Sequence, residues 1–237
     1  MKTLIFIEGG MSFSTYDAYL SWLQSEYVEW SSVPYSLEPK KKWKQKLARE
    51  WIEKWGVVYM PEMPCDLDAK YNEWKIVFEW VLSKIASDDE VTFIGHSLGG
   101  NFLLKYFSSL DICHSEERRI SPEGLLKDNE QMLPIVSMTE RGVNIEQIHL
   151  VAACTDEGNF TAPENYDVLW DLWKRVHIWH AEDDTLVPFA TAKFLEKTLP
   201  DAETHFFESE RGYGHFFPLA VFPELETEIF DDKKLPE

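Results

Sequence analysis

A serine flanked by glycines is the strongest chemical signal in this sequence. Ser97 lies in the run Gly95-His96-Ser97-Leu98-Gly99, after the β-branched and aromatic run Val91–Ile94 and before the helical spacing of Phe102–Leu110. Glycines on both sides let a strand and a helix approach closely, and the turn between them exposes the serine hydroxyl. This spacing predicts a nucleophile elbow. The lysine of a phosphate-binding loop is absent from the run, which disfavours a glycine-rich phosphate cradle.

A histidine late in the chain is a candidate base for this serine. A serine hydroxyl is a weak nucleophile until a base takes its proton, and in this setting the acid precedes the base along the chain. His215 lies in the glycine-rich run Gly212-Tyr213-Gly214-His215-Phe216-Phe217, after the last predicted strand. The alternative is a histidine packed under the aromatic residues that follow it. His96 points away from the serine in such an elbow, and His180 ends a strand as a structural residue.

Several carboxylates could orient that base. The acidic turn Glu182-Asp183-Asp184 follows a predicted strand and is closed by Pro188. We take Asp184 as the acid and Asp183 as a solvated or turn-capping neighbour. Glu182 and Asp183 remain alternatives, and Asp156, which follows the preceding predicted strand, is the main rival.

The elements that must position these residues alternate along the chain. Six short apolar runs predict buried strands, over Thr3–Ile7, Val57–Met60, Val91–Ile94, Ile148–Ala153, Val176–His180 and Thr204–Phe207. Helical spacing occurs between and after them, over Tyr16–Trp30, Trp43–Trp55, Asp66–Ala86, Phe102–Leu110, Tyr166–Trp173, Phe189–Leu199 and Val221–Phe230. This alternation predicts an α/β fold in one domain over 1–237, with a mostly parallel sheet between two helical layers. Residues 24–55 and 111–146 are expected to be lid or insertion segments.

Ten tryptophans are many for this length, and half of them lie between the first and second predicted strands (Trp22, Trp30, Trp43, Trp51 and Trp55). An aromatic stripe at helical spacing is typical of a helix that packs on a core. The alternative is an aromatic lid that covers Ser97 and forms an apolar acyl pocket.

Charge excludes two classes of partner. The 237 residues carry 23 basic and 42 acidic side chains, a formal net charge of −19, with 44% hydrophobic residues. Such a chain can bury a core but repels phosphate backbones and anionic lipid surfaces. We therefore expect no nucleic-acid and no membrane partner.

Cysteine and histidine spacing suggest neither a disulfide framework nor a zinc site. The three cysteines are an odd number without CxxC spacing (Cys65, Cys113 and Cys154). Neither a membrane-spanning run nor a signal peptide is expected, so the predicted compartment is the cytoplasm. No cofactor and no metal are implied.

These motifs together resemble the α/β-hydrolase superfamily, and within it the small serine hydrolases related to retinoblastoma-binding protein 9 and the bacterial YdeN-like proteins. The similarity rests on the first strand leading into Glu8-Gly9-Gly10, Met60-Pro61, the run at 95–100, Asp-Asp-Thr-Leu-Val-Pro at 183–188 and Gly-His-Phe at 214–216. It covers nearly the whole chain except roughly 24–55 and 111–146.

The resemblance implies Ser97 as nucleophile, Asp184 as acid and His215 as base. It also implies an oxyanion hole at the backbone N–H groups of Leu98 and Gly10. Many members of the superfamily carry His-Gly where this chain has Glu8-Gly9. A carboxylate there would oppose developing negative charge unless Glu8 points away, is paired, or serves an unusual substrate.

These observations predict a serine hydrolase that cleaves a carboxylic ester, thioester or activated amide of a small acyl substrate through an acyl-enzyme. An acyltransferase or perhydrolase could use the same groups. A protein-binding module on a hydrolase scaffold is the alternative from another class, because fold does not fix function.

Overall fold

Six short strands form one parallel sheet in the computed structural model, which describes residues 1–27, 43–109, 143–155, 157–161, 172 and 174–230. The strands are β1 (Lys2–Ile7), β2 (Val57–Tyr59), β3 (Glu90–His96), β4 (Asn144–Val151), β5 (Val176–Ala181) and β6 (Glu203–Phe207). Their order is β2-β1-β3-β4-β5-β6, with parallel pairing throughout. This arrangement confirms the predicted fold class.

Helices over the described residues cover both faces of this sheet. They are α1 (Tyr16–Trp22), α2 (Trp43–Lys54), α3 (Tyr71–Leu82), α4 (Leu98–Ser108), α5 (Phe189–Thr198) and α6 (Pro223–Phe230). A π-helical stretch over Leu23–Tyr27 continues α1, and a 3₁₀ turn over Ser209–Arg211 follows β6. Within these residues no helix has the length and apolar character that crossing a bilayer requires.

The alternation of side chains along each strand creates two cores. One face packs against α3, α4 and α5 around Phe78, Phe93 and Phe102. The other face packs against α2 and α6, where Trp43 and Trp51 are fully buried. These two tryptophans therefore pack in the core, as a stripe at this spacing favours, whereas Trp30 lies outside the described residues.

Some element boundaries differ from the sequence prediction. The helix predicted from Asp66 begins only at Tyr71, because Asp68 closes a turn onto the Cys65 carbonyl oxygen and Lys70 is extended. The strand predicted from Ile148 begins at Asn144, within a segment predicted to be an insertion. Most of the helix predicted over 166–173 lies outside the described residues.

All strands run the same way, so their carboxyl ends share one edge of the sheet. β1 leads there into Glu8 and the two glycines, β3 into Ser97, β5 into the Asp184 turn, and β6 into the loop of His215. Residues far apart in the chain therefore meet at this edge, which is where open parallel sheets bind ligands.

Candidate active site

Ser97 occupies a sharp turn between β3 and α4. Its φ of 55° and ψ of −122° lie in a region that side-chain-bearing residues rarely adopt, so the backbone there is strained. The glycines around it are required by close approach: a Cβ on Gly95 would lie 2.6 Å from the Gly100 Cα, and one on Gly99 would overlap the Ile7 carbonyl oxygen. The Ser97 N–H donates to the Val151 carbonyl oxygen at 2.8 Å. The turn is thus held between two strands.

Asp184 is fixed in the turn that follows β5. Its Oδ1 accepts the N–H groups of Leu186 at 2.8 Å and Val187 at 2.9 Å, and its Oδ2 accepts from His215 Nδ1 at 2.8 Å. Burial opposes the charged form, but the His215 contact and the two amides outweigh it, so the pKa of Asp184 is lowered below its ordinary value. The carboxylate is therefore ionised at neutral pH and orients the imidazole.

His215 sits in a loop whose shape depends on left-handed residues. Gly214 has a φ of 49° and Phe216 a φ of 60°. The Gly214 N–H donates to Asp183 Oδ1 at 3.0 Å, and the Trp43 indole N–H donates to the Phe216 carbonyl oxygen at 3.0 Å. Asp183 is therefore more than a solvated neighbour of Asp184, because it anchors the loop that carries His215.

Two further histidines support this pair. His96 Nε2 donates to the His215 carbonyl oxygen at 3.0 Å, and the two rings lie 4.8 Å apart. His180 Nε2 donates to the Val187 carbonyl oxygen at 2.9 Å and lies 3.7 Å from Asp184 Oδ2. Because each carbonyl can only accept, the Nε2 of each histidine carries a proton. His96 and His180 therefore hold the backbone at His215 and in the Asp184 turn.

Glu8 is paired, which answers the question raised by its position. Lys44 Nζ lies 2.9 Å from Glu8 Oε2 and also donates to His96 Nδ1 at 3.2 Å. The Lys44 residue is only 6% exposed, so α2 delivers a buried ammonium group to the edge of the site. Burial first, and then the Lys44 charge, lower the pKa of His96 well below its ordinary value and keep its ring neutral.

The loop after β1 lies directly against the serine. A Cβ on Gly9 would lie 2.9 Å from the Ser97 Cβ, and one on Gly10 would lie 2.6 Å from the Asp66 carbonyl oxygen. The Met11 N–H donates to that same carbonyl at 2.7 Å, so it is unavailable to a ligand. Leu98 is the first residue of α4, where backbone N–H groups have no partner within the helix. Gly10 and Leu98 remain the predicted oxyanion donors.

Residues after β4 flank this edge. Asp156, the rival acid, lies outside the described residues. Burial, followed by the charge and side chain of Glu157, raises the pKa of the Cys154 thiol well above its ordinary value. Cys154 is buried and not in a disulfide, and in this neutral form it is a poor nucleophile. Cys65 is likewise free but exposed, and Cys113 lies outside the described residues.

Sequence reasoning did not anticipate the contacts made by Lys44, Asp183 and His96. Lys44 belongs to a basic cluster that is typical of a solvated helix face, although three members of that cluster (Lys40, Lys41 and Lys42) lie outside the described residues. One signal was available. Lys44 directly follows Trp43, the first residue of the buried stripe, so its side chain emerges beside the core.

Comparison with known proteins identifies the fold of this chain through solved structures of low sequence identity. No family model matches the chain, and no curated protein matches it by sequence. The solved ydeN gene product of B. subtilis is similar to it over 97% of each chain, with 16% identity and a TM-score of 0.60. MGS-MChE2, an alpha/beta hydrolase enzyme from the metagenome of lagoon sediments of Mar Chica, Morocco, shares 12% identity with a TM-score of 0.52, over 99% of this chain and 92% of that one. The chain therefore has the α/β-hydrolase fold, as its motifs implied.

Proposed function

We propose that this protein is a serine hydrolase that cleaves a carboxylic ester, thioester or activated amide. The observation that carries the proposal is the strained serine turn at the same sheet edge as a buried, hydrogen-bonded aspartate–histidine pair. Ser97 is held in the left-handed region, and His215 Nδ1 donates to Asp184 Oδ2 at 2.8 Å at the same edge of the sheet. The hydrolase names of the structural neighbours agree with this proposal, whereas their low identity supports the fold alone.

The proposed reaction assigns one role to each group. His215 Nε2 takes the Ser97 proton as the oxygen attacks the acyl carbon, and Asp184 stabilises the imidazolium that forms. The N–H groups of Leu98 and Gly10 donate to the developing oxyanion. His215 then protonates the leaving group, and an acyl-enzyme remains on Ser97. Water, activated by the same imidazole, hydrolyses the acyl-enzyme and restores the serine.

The cytoplasm remains the predicted compartment, on the cysteine usage alone. A small acyl compound remains the predicted partner.

Covalent labelling tests the nucleophile without knowledge of the substrate. A fluorophosphonate probe is expected to form one adduct per chain, and peptide mapping is expected to place it on Ser97, the hydroxyl that the proposal activates through His215. The adduct should be lost in Ser97→Ala and in His215→Ala, and kept in Ser209→Ala, which changes an exposed serine on the 3₁₀ turn. Intact mass gives the stoichiometry.

A folded wild-type protein that forms no adduct would overturn the proposal and favour a binding protein on this scaffold. If the adduct forms, product analysis with added alcohol, amine or peroxide separates hydrolysis from acyl transfer and perhydrolysis.

Lys44 is expected to increase the rate of ester hydrolysis through its contacts with Glu8 and His96. Lys44→Met leaves the Glu8 carboxylate without its cation beside the oxyanion loop and removes the donor to His96 Nδ1. We expect kcat/KM for a neutral ester to fall by about 10-fold, which is roughly 1.4 kcal/mol of transition-state stabilisation. Steady-state hydrolysis of the best ester found in a screen measures it.

Two matched variants interpret that result. The double variant Glu8→Gln with Lys44→Met is expected to recover part of the rate, because the uncompensated carboxylate is gone. Lys46→Met, on the same helix, removes a cation that pairs with Glu50 and Glu226 away from the site and should leave the rate within about 2-fold. A Lys44→Met enzyme as fast as the Lys46→Met enzyme would contradict the prediction.

A further inference from the structure

Four potential metal ligands converge on the sheet face that α6 covers, away from the Ser97 edge. They are His177 on β5, Glu203 and His205 on β6, and Glu228 on α6. One ligand atom from each lies within 4.8 Å of all the others. Glu228 and His177 are buried, His205 is half-buried and Glu203 is exposed. We propose that these four side chains bind one divalent transition-metal ion, with Zn²⁺ as the natural occupant.

The spacing of the ligand atoms suits a tetrahedral ion. Bonds of about 2.0–2.1 Å to four tetrahedral ligands place those ligands about 3.4 Å apart. His177 Nδ1 lies 3.3 Å from His205 Nε2, 3.8 Å from Glu203 Oε2 and 3.9 Å from Glu228 Oε1, and His205 Nε2 lies 3.6 Å from Glu203 Oε1. These four distances lie within about 0.5 Å of the tetrahedral spacing. With one atom taken from each residue, every pair lies within 4.8 Å, so the most distant pair must approach by up to about 1.4 Å, which rotation of the glutamate side chains can supply.

The donor set and its charge also favour this ion. Two imidazole nitrogens that face each other at 3.3 Å cannot both carry a proton, so at least one presents a lone pair. Imidazole with carboxylate suits zinc and its neighbours, whereas calcium and magnesium prefer oxygen ligands alone. Two carboxylates with two neutral imidazoles carry a charge of −2, which a divalent cation neutralises. Glu228 lies in the last turn of α6, where the helix dipole also favours a cation.

Neighbouring rings fix the two histidine ligands in place. The His149 ring stacks on His177 with centroids 4.7 Å apart, and the Trp179 ring stacks on His205 at 3.7 Å and 6°. His149 itself is satisfied, because its Nδ1 accepts from the Trp179 indole at 3.1 Å and its Nε2 lies 3.1 Å from Gln147 Oε1. His149 is therefore a support, and such contacts orient metal ligands in many proteins.

The proposed ion would tie three elements together. Four protein ligands fill a tetrahedral shell and leave no position for substrate, which is the pattern of a structural site. His177 precedes the end of β5 at Ala181 by four residues, or about 13 Å along the strand, so the ion lies well before the Asp184 turn. It would join β5, β6 and α6, and the first two lead into the Asp184 turn and the His215 loop. The inference does not depend on the proposed hydrolase activity.

Titration of the metal-free, untagged protein tests the site. Zn²⁺, followed by competition with a chromophoric chelator, is expected to bind at one ion per chain and to raise the unfolding temperature. Co²⁺ in its place is expected to give the intense visible absorption of a tetrahedral complex. His205→Gln should weaken Zn²⁺ binding at least about 100-fold and abolish the Co²⁺ absorption, because it removes one of four ligands.

Matched variants separate metal ligation from the nonspecific effect of removing a negative charge near the site. Glu228→Gln is expected to weaken Zn²⁺ binding, whereas Glu224→Gln, one turn earlier on α6 and paired with Arg211, should leave it unchanged. The Co²⁺ spectrum of the wild type needs no substitution, so it decides the matter even where a variant does not fold. Binding of less than one ion per chain, a weak octahedral-type spectrum, or equal Zn²⁺ affinity in wild type and folded His205→Gln would overturn the proposal.

Discussion

Asp184→Asn is expected to lower kcat for ester hydrolysis by about 10⁴-fold while leaving the protein folded. The amide oxygen can still accept the N–H groups of Leu186 and Val187, so the turn is retained. The change lies at the second carboxylate oxygen, where an amide N–H would face His215 Nδ1. The imidazole must then place its lone pair toward residue 184 and its proton toward Ser97, which is the wrong tautomer for a base. The loss of a negative charge beside the imidazolium adds to the effect.

Asp183→Asn is the matched control for this substitution. Asp183 accepts from the Gly214 N–H, and the amide oxygen of asparagine can keep that hydrogen bond. We therefore expect kcat within about 5-fold of wild type, since only a neutral acceptor replaces a charged one. The measurement is steady-state hydrolysis, with circular dichroism to verify folding. An Asp184→Asn enzyme as active as Asp183→Asn would contradict the assignment and move the role to Asp156.

Mild acid is expected to destabilise the fold before most carboxylates titrate. Three buried histidines have their pKa lowered from the ordinary 6.5, mainly by burial: His96, His149 and His180. Below pH 6.5 the unfolded chain takes up protons at these positions and the folded chain does not. The free energy of unfolding therefore decreases as the pH decreases. The loss continues until the pH reaches each folded-state pKa. Each histidine contributes a slope of about 1.4 kcal/mol per pH unit, and three together about 4 kcal/mol per unit at most.

Urea unfolding in a chelating buffer at about pH 7.5, 6.5 and 5.5 measures this slope while ordinary carboxylates stay ionised. His149→Gln is the informative variant, because it removes one of the three titrating groups at a position remote from Ser97. Its slope is expected to be smaller by about one proton. Stability that stays constant over this range would show that the histidines titrate normally in the folded state.

Asp184 adds a second acid-sensitive step. The pKa of Asp184 is lowered in the folded state, so its ionised carboxylate adds to the free energy of unfolding. This stabilisation is fully present above the ordinary pKa of 3.8 and is lost as the pH falls through the folded-state pKa.

The strained turn at Ser97 was predictable from the sequence because it depends on neighbours in the chain. A strand, a turn that needs glycine on both sides and a helix are local features, and all three occur within a few residues. The alternation of strands and helices also determines a parallel sheet whose carboxyl ends share one edge. Asp184 and His215 follow strands, so the pattern already places them near Ser97.

The tertiary structure alone decided which other side chains meet. Glu8 and Lys44 lie 36 residues apart and pair because α2 packs its tryptophans on the sheet and carries Lys44 to the edge of the site. The group of His177, Glu203, His205 and Glu228 joins two strands and a helix, and its spacing along the chain matches no metal motif. Such contacts depend on strand order, register and helix docking. These are set by burial of apolar surface over the whole chain, and no local run of residues encodes them.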